Sequence, residues 1–256
     1  MIAPRTIIVG DVHGCVAELT ALLATICPRA DDRLVFVGDL IDKGPASVAT
    51  VQLVRILRET QDVTLVMGNH EEKAARWRHH QARAVPNPMR DADGRYALLD
   101  KALSPRDVAF LDSAVLYHPV TGGLVVHAGV TPDMVALPPV GTKLGDLRGK
   151  EKRHFGRMLR VRHVRGGNMV PLGAETPDDP FWADVYDGRF GHIWFGHAAT
   201  LEPTPRQFPY ATGIDLGCVY GGRLGAAILG RPRVEYASVR ARAAHAPRRT
   251  SSEETE

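Results

Sequence analysis

Cysteine is scarce in this chain: three in 256 residues, at Cys15, Cys27 and Cys218. The number is odd and no two lie close together, which argues against a disulfide framework and against a short-spaced thiolate zinc motif. Cys15 fits a small residue packing a turn better than it fits a nucleophile. Long apolar runs are missing too. None approaches the roughly 18 residues a membrane helix needs, and the chain passes from Met1 into a strand pattern too quickly for a signal peptide. A cytoplasmic location is therefore the default expectation. Excess charge of either sign is absent, with 32 basic against 29 acidic residues and a formal net charge of +3, so no nucleic-acid partner is demanded. Internal repeats and low-complexity tracts are also lacking. What remains, 44% hydrophobic and 24% charged, is the composition of a soluble globular protein with a sizeable core.

The first half of the chain alternates strand and helix periods. Thr6-Ile7-Ile8-Val9 reads as a buried strand, residues 16–26 place Leu19, Leu22, Leu23 and Ile26 on one helix face, and residues 33–37 read as a second strand. Ser47 is placed to cap a helix running to about residue 59; a strand at 63–67 and a helix at 71–83 follow. Three such units in succession predict a parallel sheet with right-handed crossovers. Residues 84–94 read as an excursion, and Ser104-Pro105-Arg106-Asp107 opens a short helix. Strands at 115–117 and 124–127 are expected to pair antiparallel, and residues 131–180 to form a helical insertion packed on the sheet. Strand signals at 192–195, 212–215, 223–229 and 234–236 predict a second group of strands against the first. The expectation is a single α/β domain over 1–236. Residues 237–256, arginine-rich and then acidic without apolar periodicity, predict a disordered tail.

Five loops share one design, a strand followed by glycine beside metal-type side chains. They are Gly10-Asp11-Val12-His13-Gly14, Gly38-Asp39-Leu40-Ile41-Asp42-Lys43-Gly44, Gly68-Asn69-His70-Glu71, His127-Ala128-Gly129-Val130 and Gly196-His197. The first three begin 28 and 30 residues apart, which matches the roughly 30 residues of a strand–helix–strand unit. They should emerge at one carboxyl edge of the sheet, where α/β folds place their sites. Two divalent cations about 4 Å apart can bind phosphate, acidify a water and stabilise both entering and leaving oxygens. Such a pair wants one carboxylate between the ions and oxygen or imidazole donors on either side. Asp39 is the candidate bridge, Asp11 and His13 the candidates for one ion, and Asn69, His127 and His197 for the other. The remaining histidines lack this loop context.

In order, the five motifs resemble those of the phosphoprotein phosphatase type of metallophosphoesterase, GDxHG, GDxxDRG, GNHE, HxG and GH. Leu159-Arg160-Val161-Arg162-His163, Phe195-Gly196-His197-Ala198 and the stretch from Gly213-Ile214-Asp215 to Tyr220-Gly221-Gly222 are similar to a narrower branch, the bacterial ApaH-like bis(5′-nucleosyl)-tetraphosphatases. The resemblance implies a calcineurin-like four-layer α-β-β-α sandwich with mixed sheets. It carries over Asp11, His13, Asp39, Asn69, His127 and His197 as metal ligands. It also implies that His70 protonates the leaving oxygen with Asp42 orienting it, the His-Asp pairing that general-acid work favours. Two ions are implied, manganese first, with iron, cobalt or zinc compatible with the same donors.

One departure stands out. Lys43 occupies the place of the pattern's arginine, keeping the charge but not the planar bidentate grip. Arg160 and Arg162 are the candidate substitutes for phosphate binding. Basic residues Lys73, Arg76, His80 and Arg83 on one helix face, and the run within 143–165, suit a polyphosphate or an acidic partner, or simply a solvated face. Phe181, Trp182 and Tyr186 fit core packing better than a nucleobase platform. The leading expectation is hydrolysis of dinucleoside polyphosphates by a metal-bridging hydroxide, diadenosine tetraphosphate being cut symmetrically to two ADP. Phosphoserine or phosphothreonine in proteins is the alternative substrate, with a capped RNA end or a non-catalytic nucleotide-binding module behind it.

Overall fold

A computed structural model of the chain describes residues 4–247, apart from 84, 92 and 231. The strand–helix alternation appears as β1 (Thr6–Val9), α1 (Val16–Ile26), β2 (Arg33–Phe36), α2 (Ser47–Leu57), β3 (Asp62–Leu65) and α3 (Asn69–Gln81). Strands β1, β2 and β3 pair parallel, as the spacing predicts. Next come α4 (Arg95–Ala102) and α5 (Pro105–Leu111), the latter opening after Ser104 as expected and closed at its start by a capping box, with Asp107 N donating to Ser104 Oγ at 3.2 Å. β4 (Tyr117–Val120) and β5 (Gly123–Val126) form the expected antiparallel pair. The rest comprises α6 (Gly149–Phe155), the two-residue strands β6 (Val164–Arg165) and β7 (Asn168–Met169), then β8 (His192–Phe195), β9 (Arg206–Phe208), β10 (Ala211–Gly213), β11 (Arg223–Leu229) and β12 (Glu235–Arg240).

Two mixed five-stranded sheets result, in the orders β12-β11-β1-β2-β3 and β4-β5-β8-β10-β9. Strand alternation explains how they stack. Ile7 and Val9 of β1 and Leu34 and Phe36 of β2 share a core with Leu19, Leu22 and Ile26 of α1 and Val51 and Val54 of α2. Ile8 and Val35 point the other way and join Val125 and Trp194 of the second sheet in a separate apolar layer. On the far side of that second sheet, Leu124, Val126, Ile193 and Phe195 pack with Met158, Phe181 and Trp182. The order is therefore helices, sheet, sheet, helical insertion: the α-β-β-α sandwich. Both aromatic residues Phe181 and Trp182 are buried, which spends them on packing.

Several local expectations are corrected. Ser47 does not cap α2; it is the helix's first residue, behind Ala46, and its hydroxyl instead accepts from Asp42 N at 2.9 Å. α3 starts at Asn69 rather than residue 71, because Glu71 at its third position accepts from Gly68 N at 3.1 Å and closes the helix start there. The insertion is only partly helical: α6 is flanked by single turns at Leu144–Asp146 and Gly156–Leu159, and β6–β7 is a hairpin. Where disorder was expected from residue 237, β12 instead continues to Arg240, paired with β11 from Glu235 to Arg240. Ala237, Val239 and Ala241 turn one half-buried face to the core. That alternation is too small and too short to register as periodicity, and backbone pairing does not require it to be apolar. Residues 248–256 of the expected tail lie outside the described residues. Among the described residues no helix is long and apolar enough to cross a membrane.

Candidate active site

The five glycine-bearing loops follow the carboxyl ends of β1, β2, β3, β5 and β8, and they converge. Asp39, 2% exposed, is the centre. Its Oδ2 lies 3.4 Å from His13 Nε2, 3.5 Å from His127 Nε2 and 3.8 Å from His70 Nε2, while its Oδ1 accepts from His70 N at 3.0 Å. Two groups of donors that could hold a metal ion share this one carboxylate: His13, Asp39 and His70, all buried, and Asp39, His127 and the half-buried His197. Asn69 Oδ1 completes the second group, 2.9 Å from His127 Nε2 and 2.8 Å from His197 Nδ1. Asp11 lies at the edge, its carboxylate accepting from His197 N at 3.0 Å.

The backbone is bent to achieve this. Six non-glycine residues among those described have positive φ, and five of them, His13, Asp39, Asp42, Lys43 and His197, belong to these loops. Such conformations cost about 1–3 kcal/mol each and persist only where the surroundings enforce them. Gly196 shows the enforcement, since a Cβ there would stand 1.9 Å from Asp11 Oδ1. Imidazole orientation is also imposed. Nδ1 of His13 donates to Ile41 O and Nδ1 of His127 to Val37 O, each at 2.9 Å, which turns both Nε2 atoms toward Asp39.

Electrostatics divide the cluster. Burial raises the Asp11 carboxyl well above its ordinary value, and Asp215 and Asp39 add to the effect. For Asp39 burial opposes the charge, but His127, His70 and His13 outweigh it and hold the carboxyl well below the usual range. Burial and then Lys43 push His13 down to about 3; burial lowers His127, and burial with the Arg162 charge lowers His197. Imidazole nitrogens gathered around one carboxylate are a donor set suited to divalent cations.

Beside the cluster, His70 Nδ1 donates to Asp42 Oδ2 at 2.7 Å, leaving Nε2 on the Asp39 side. Burial disfavours the Asp42 charge, yet the His70 hydrogen bond and the Arg95 charge hold it ionised. His70 opens on a cavity of about 820 Å³ lined also by Asp39, Asn69, Asp93 and His197, and by six basic side chains: Lys43, Lys73, Arg90, Arg95, Arg160 and Arg162. Thus Lys43, Arg160 and Arg162 all reach the cavity. Arg160 is engaged with Glu72 at 2.5 Å. Of the basic helix face, only Lys73 lines the cavity, while Arg76, His80 and Arg83 lie outside its lining.

Four residues near the cluster were not singled out from sequence. Glu71 accepts from Asp39 N and Leu40 N at 2.8 Å and so splints the Asp39 loop to α3; burial and then Asp39 raise its carboxyl to about 8. The third position of a helix after Gly68 was the available signal. Asp215, raised by burial to about 6, faces Asp11 after Gly213, another glycine at a strand end. Arg95 donates to Asp42 Oδ1 at 3.3 Å and Tyr220 accepts from Lys43 Nζ at 2.8 Å. Arg95 carries no sequence signal of its own, and Tyr220 only its place in the stretch from Gly213 to Gly222.

A carboxylate shared between two histidine clusters at the edge of an α-β-β-α sandwich is the arrangement of a metallophosphoesterase. The chain belongs to the calcineurin-like phosphoesterase family, whose model matches residues 4–197. It is 30% identical over 238 residues to the asymmetrical bis(5′-nucleosyl)-tetraphosphatase PrpE of Bacillus velezensis, covering 85% of this chain and 86% of the relative. PrpE of Halalkalibacterium halodurans is 28% identical over 253 residues, covering 92% and 93%. A crystal structure provisionally assigned as a diadenosine tetraphosphatase superposes with TM-score 0.68 at 28% identity, covering 94% of this chain and 95% of that one. The fold is also that of a Saccharomyces cerevisiae serine/threonine phosphatase, at TM-score 0.61 and 16% identity over 93% of this chain and 80% of that one.

Proposed function

We propose that this protein hydrolyses dinucleoside polyphosphates with the help of two divalent metal ions. The observation that carries the reading is the cavity in which six basic side chains surround the Asp39-centred cluster. A single phosphomonoester needs far fewer cations than a chain of phosphates, and the excess fits a polyphosphate. Asp11, His13 and Asp39 would hold one ion, and Asp39, Asn69, His127 and His197 the other. When bound, the ions neutralise phosphate charge and lower the pKa of an attacking water; manganese is the first choice on resemblance.

The chain's own residues then supply binding and proton transfer. Lys43, Arg160 and Arg162 bind phosphate oxygens. His70, held by Asp42 through Nδ1, presents Nε2–H to the leaving oxygen. Asp42 stays ionised and holds the His70 ring in place through that hydrogen bond while the proton is given up. For the position of the cut, the relatives' names support unequal cleavage, which divides four phosphates into ATP and AMP, in place of the symmetrical cut expected from sequence.

Incubation with diadenosine tetraphosphate and Mn²⁺ after chelation, with nucleotides separated chromatographically, tests the reading. ATP plus AMP is the expected product pair, and Asp39→Asn should abolish turnover and lower bound metal. ADP alone would restore the symmetrical cut. Activity confined to a phosphopeptide or to capped RNA would overturn the proposal.

A further inference from the structure

Lysine at position 43 raises a physical problem that the tertiary structure answers. Arginine would offer two parallel N–H donors from one rigid plane, whereas an ammonium is a point charge that selects no orientation of a phosphoryl group. Lys43 does not stand alone. Its Nζ donates to Tyr220 Oη at 2.8 Å, lies 5.2 Å from the centre of that ring, and is 3.4 Å from His13 Nε2. Both side chains line the basic cavity.

Each half of the pair is fixed from its own side. Lys43 has φ of 66° and its N–H donates to Asp42 Oδ1 at 2.8 Å, so the residue that orients His70 also sets the direction of Lys43. Tyr220 sits in a turn closed by Tyr220 N to Gly217 O at 2.9 Å, and it is bridged to Ala244 of the C-terminal segment. His245 N and Ala246 N donate to Val219 O at 2.8 and 3.2 Å, clamping the turn from behind. The segment expected to be disordered thus braces this turn against the cavity.

We propose that Lys43 and Tyr220 form one two-point phosphate grip, in which the ammonium and the phenol O–H donate to two oxygens of the same phosphoryl group. Two donors held 2.8 Å apart reproduce from two side chains what an arginine fork provides from one. The role assigned to Tyr220 rests on the phosphohydrolase reading above and adds to it a residue that selects orientation. Arg160, by contrast, is committed to Glu72 and supplies charge along the chain of phosphates rather than the grip.

A four-protein cycle tests it: wild type, Tyr220→Phe, Lys43→Arg and the double variant, each loaded with Mn²⁺. Calorimetry with inorganic phosphate as the probe reads binding without requiring turnover. Loss of one hydrogen bond to a charged group predicts that Tyr220→Phe weakens phosphate binding about 10-fold or more. Lys43→Arg in the Tyr220→Phe background should restore affinity to within about 3-fold of wild type, because the guanidinium supplies both donors. With diadenosine tetraphosphate, Tyr220→Phe should raise KM by a similar factor while kcat changes little. Wild-type phosphate affinity in Tyr220→Phe, or a double variant no better than Tyr220→Phe, overturns the grip. A protein that shows the phosphate cycle but leaves diadenosine tetraphosphate uncut retains the grip and loses the substrate assignment. Phenylalanine keeps the ring packing, and thermal unfolding of each variant verifies that the fold is intact.

Discussion

Asp39 and Asn69 show how a residue can be chosen by its neighbours. Asp39 lies at positive φ with its two oxygens divided between a backbone N–H and three imidazoles, and only a short carboxylate meets both demands. His70 adjoins Asn69 in sequence yet turns its ring to Asp42, while Asn69 reaches His127 and His197. Separate roles follow for two consecutive residues, and they can be separated experimentally. His70→Asn should lower kcat roughly 10²–10⁴-fold while metal content, measured by elemental analysis, stays at the wild-type value. A fall in bound metal alongside kcat would make His70 a ligand instead. The six candidate ligands were legible because each stands in a short glycine-bearing loop at the end of an apolar run. Tyr220 and Arg95 were not, because their partners Lys43 and Asp42 are distant in sequence and no local pattern announces a contact of that length.

Elements are tied together mainly by apolar alternation, but one buried ion pair fixes where the first units begin. Asp32, fully enclosed just before β2, accepts from Arg5 Nε at 2.9 Å and Arg5 N at 2.9 Å, and from Arg29 N at 2.8 Å. Arg5 Nη2 also reaches Cys27 O at the end of α1 at 3.0 Å. One carboxylate therefore joins the starts of β1 and β2 to the end of α1. Burial opposes its ionisation, and hydrogen bonds from Arg5 and Arg29 outweigh burial and depress its pKa. A depressed carboxylate contributes stability that is present in full above its unfolded value near 4 and is lost as pH falls toward the folded value. Removing one partner of a buried pair costs about 3–5 kcal/mol. Urea unfolding of Asp32→Asn should show a loss of that size at pH 7 that shrinks below about pH 4; a loss independent of pH would refute the assignment. At this scale the parallel order of β1, β2 and β3 was legible, since three strand–loop–helix units permit little else. The start of β12 was legible in the strand signal at 234–236, but its run on to Arg240 was not, because an edge strand held by backbone bonds leaves only a faint side-chain pattern.

On the scale of the whole molecule, a net charge of +3 conceals a strong local field. Lys43 comes from the β2 loop, Lys73 from α3, Arg90 and Arg95 from the excursion and the helix after it, and Arg160 and Arg162 from the insertion, and all line one cavity. Such focused charge attracts an anionic substrate over a distance that salt shortens, with a Debye length of about 10 Å at 0.1 M and about 3 Å at 1 M. KM for diadenosine tetraphosphate should therefore rise steeply across that range with kcat nearly constant. Insensitivity of KM to salt would mean that the basic side chains do not bind the phosphates.

The sequence by itself determined the chemistry: five strand-end glycine loops, their roughly 30-residue spacing, and donor types suited to two cations. Those features are local, and a strand delivers its last side chains to a sheet edge wherever the sheet is built. Only the tertiary structure decided that Asp39 is shared by two clusters and that six scattered cations enclose one cavity. It also decided that a tyrosine 177 residues away stands against Lys43. Such contacts arise from how two sheets and an insertion pack, and packing at that distance is set by the whole core rather than by any stretch of the chain.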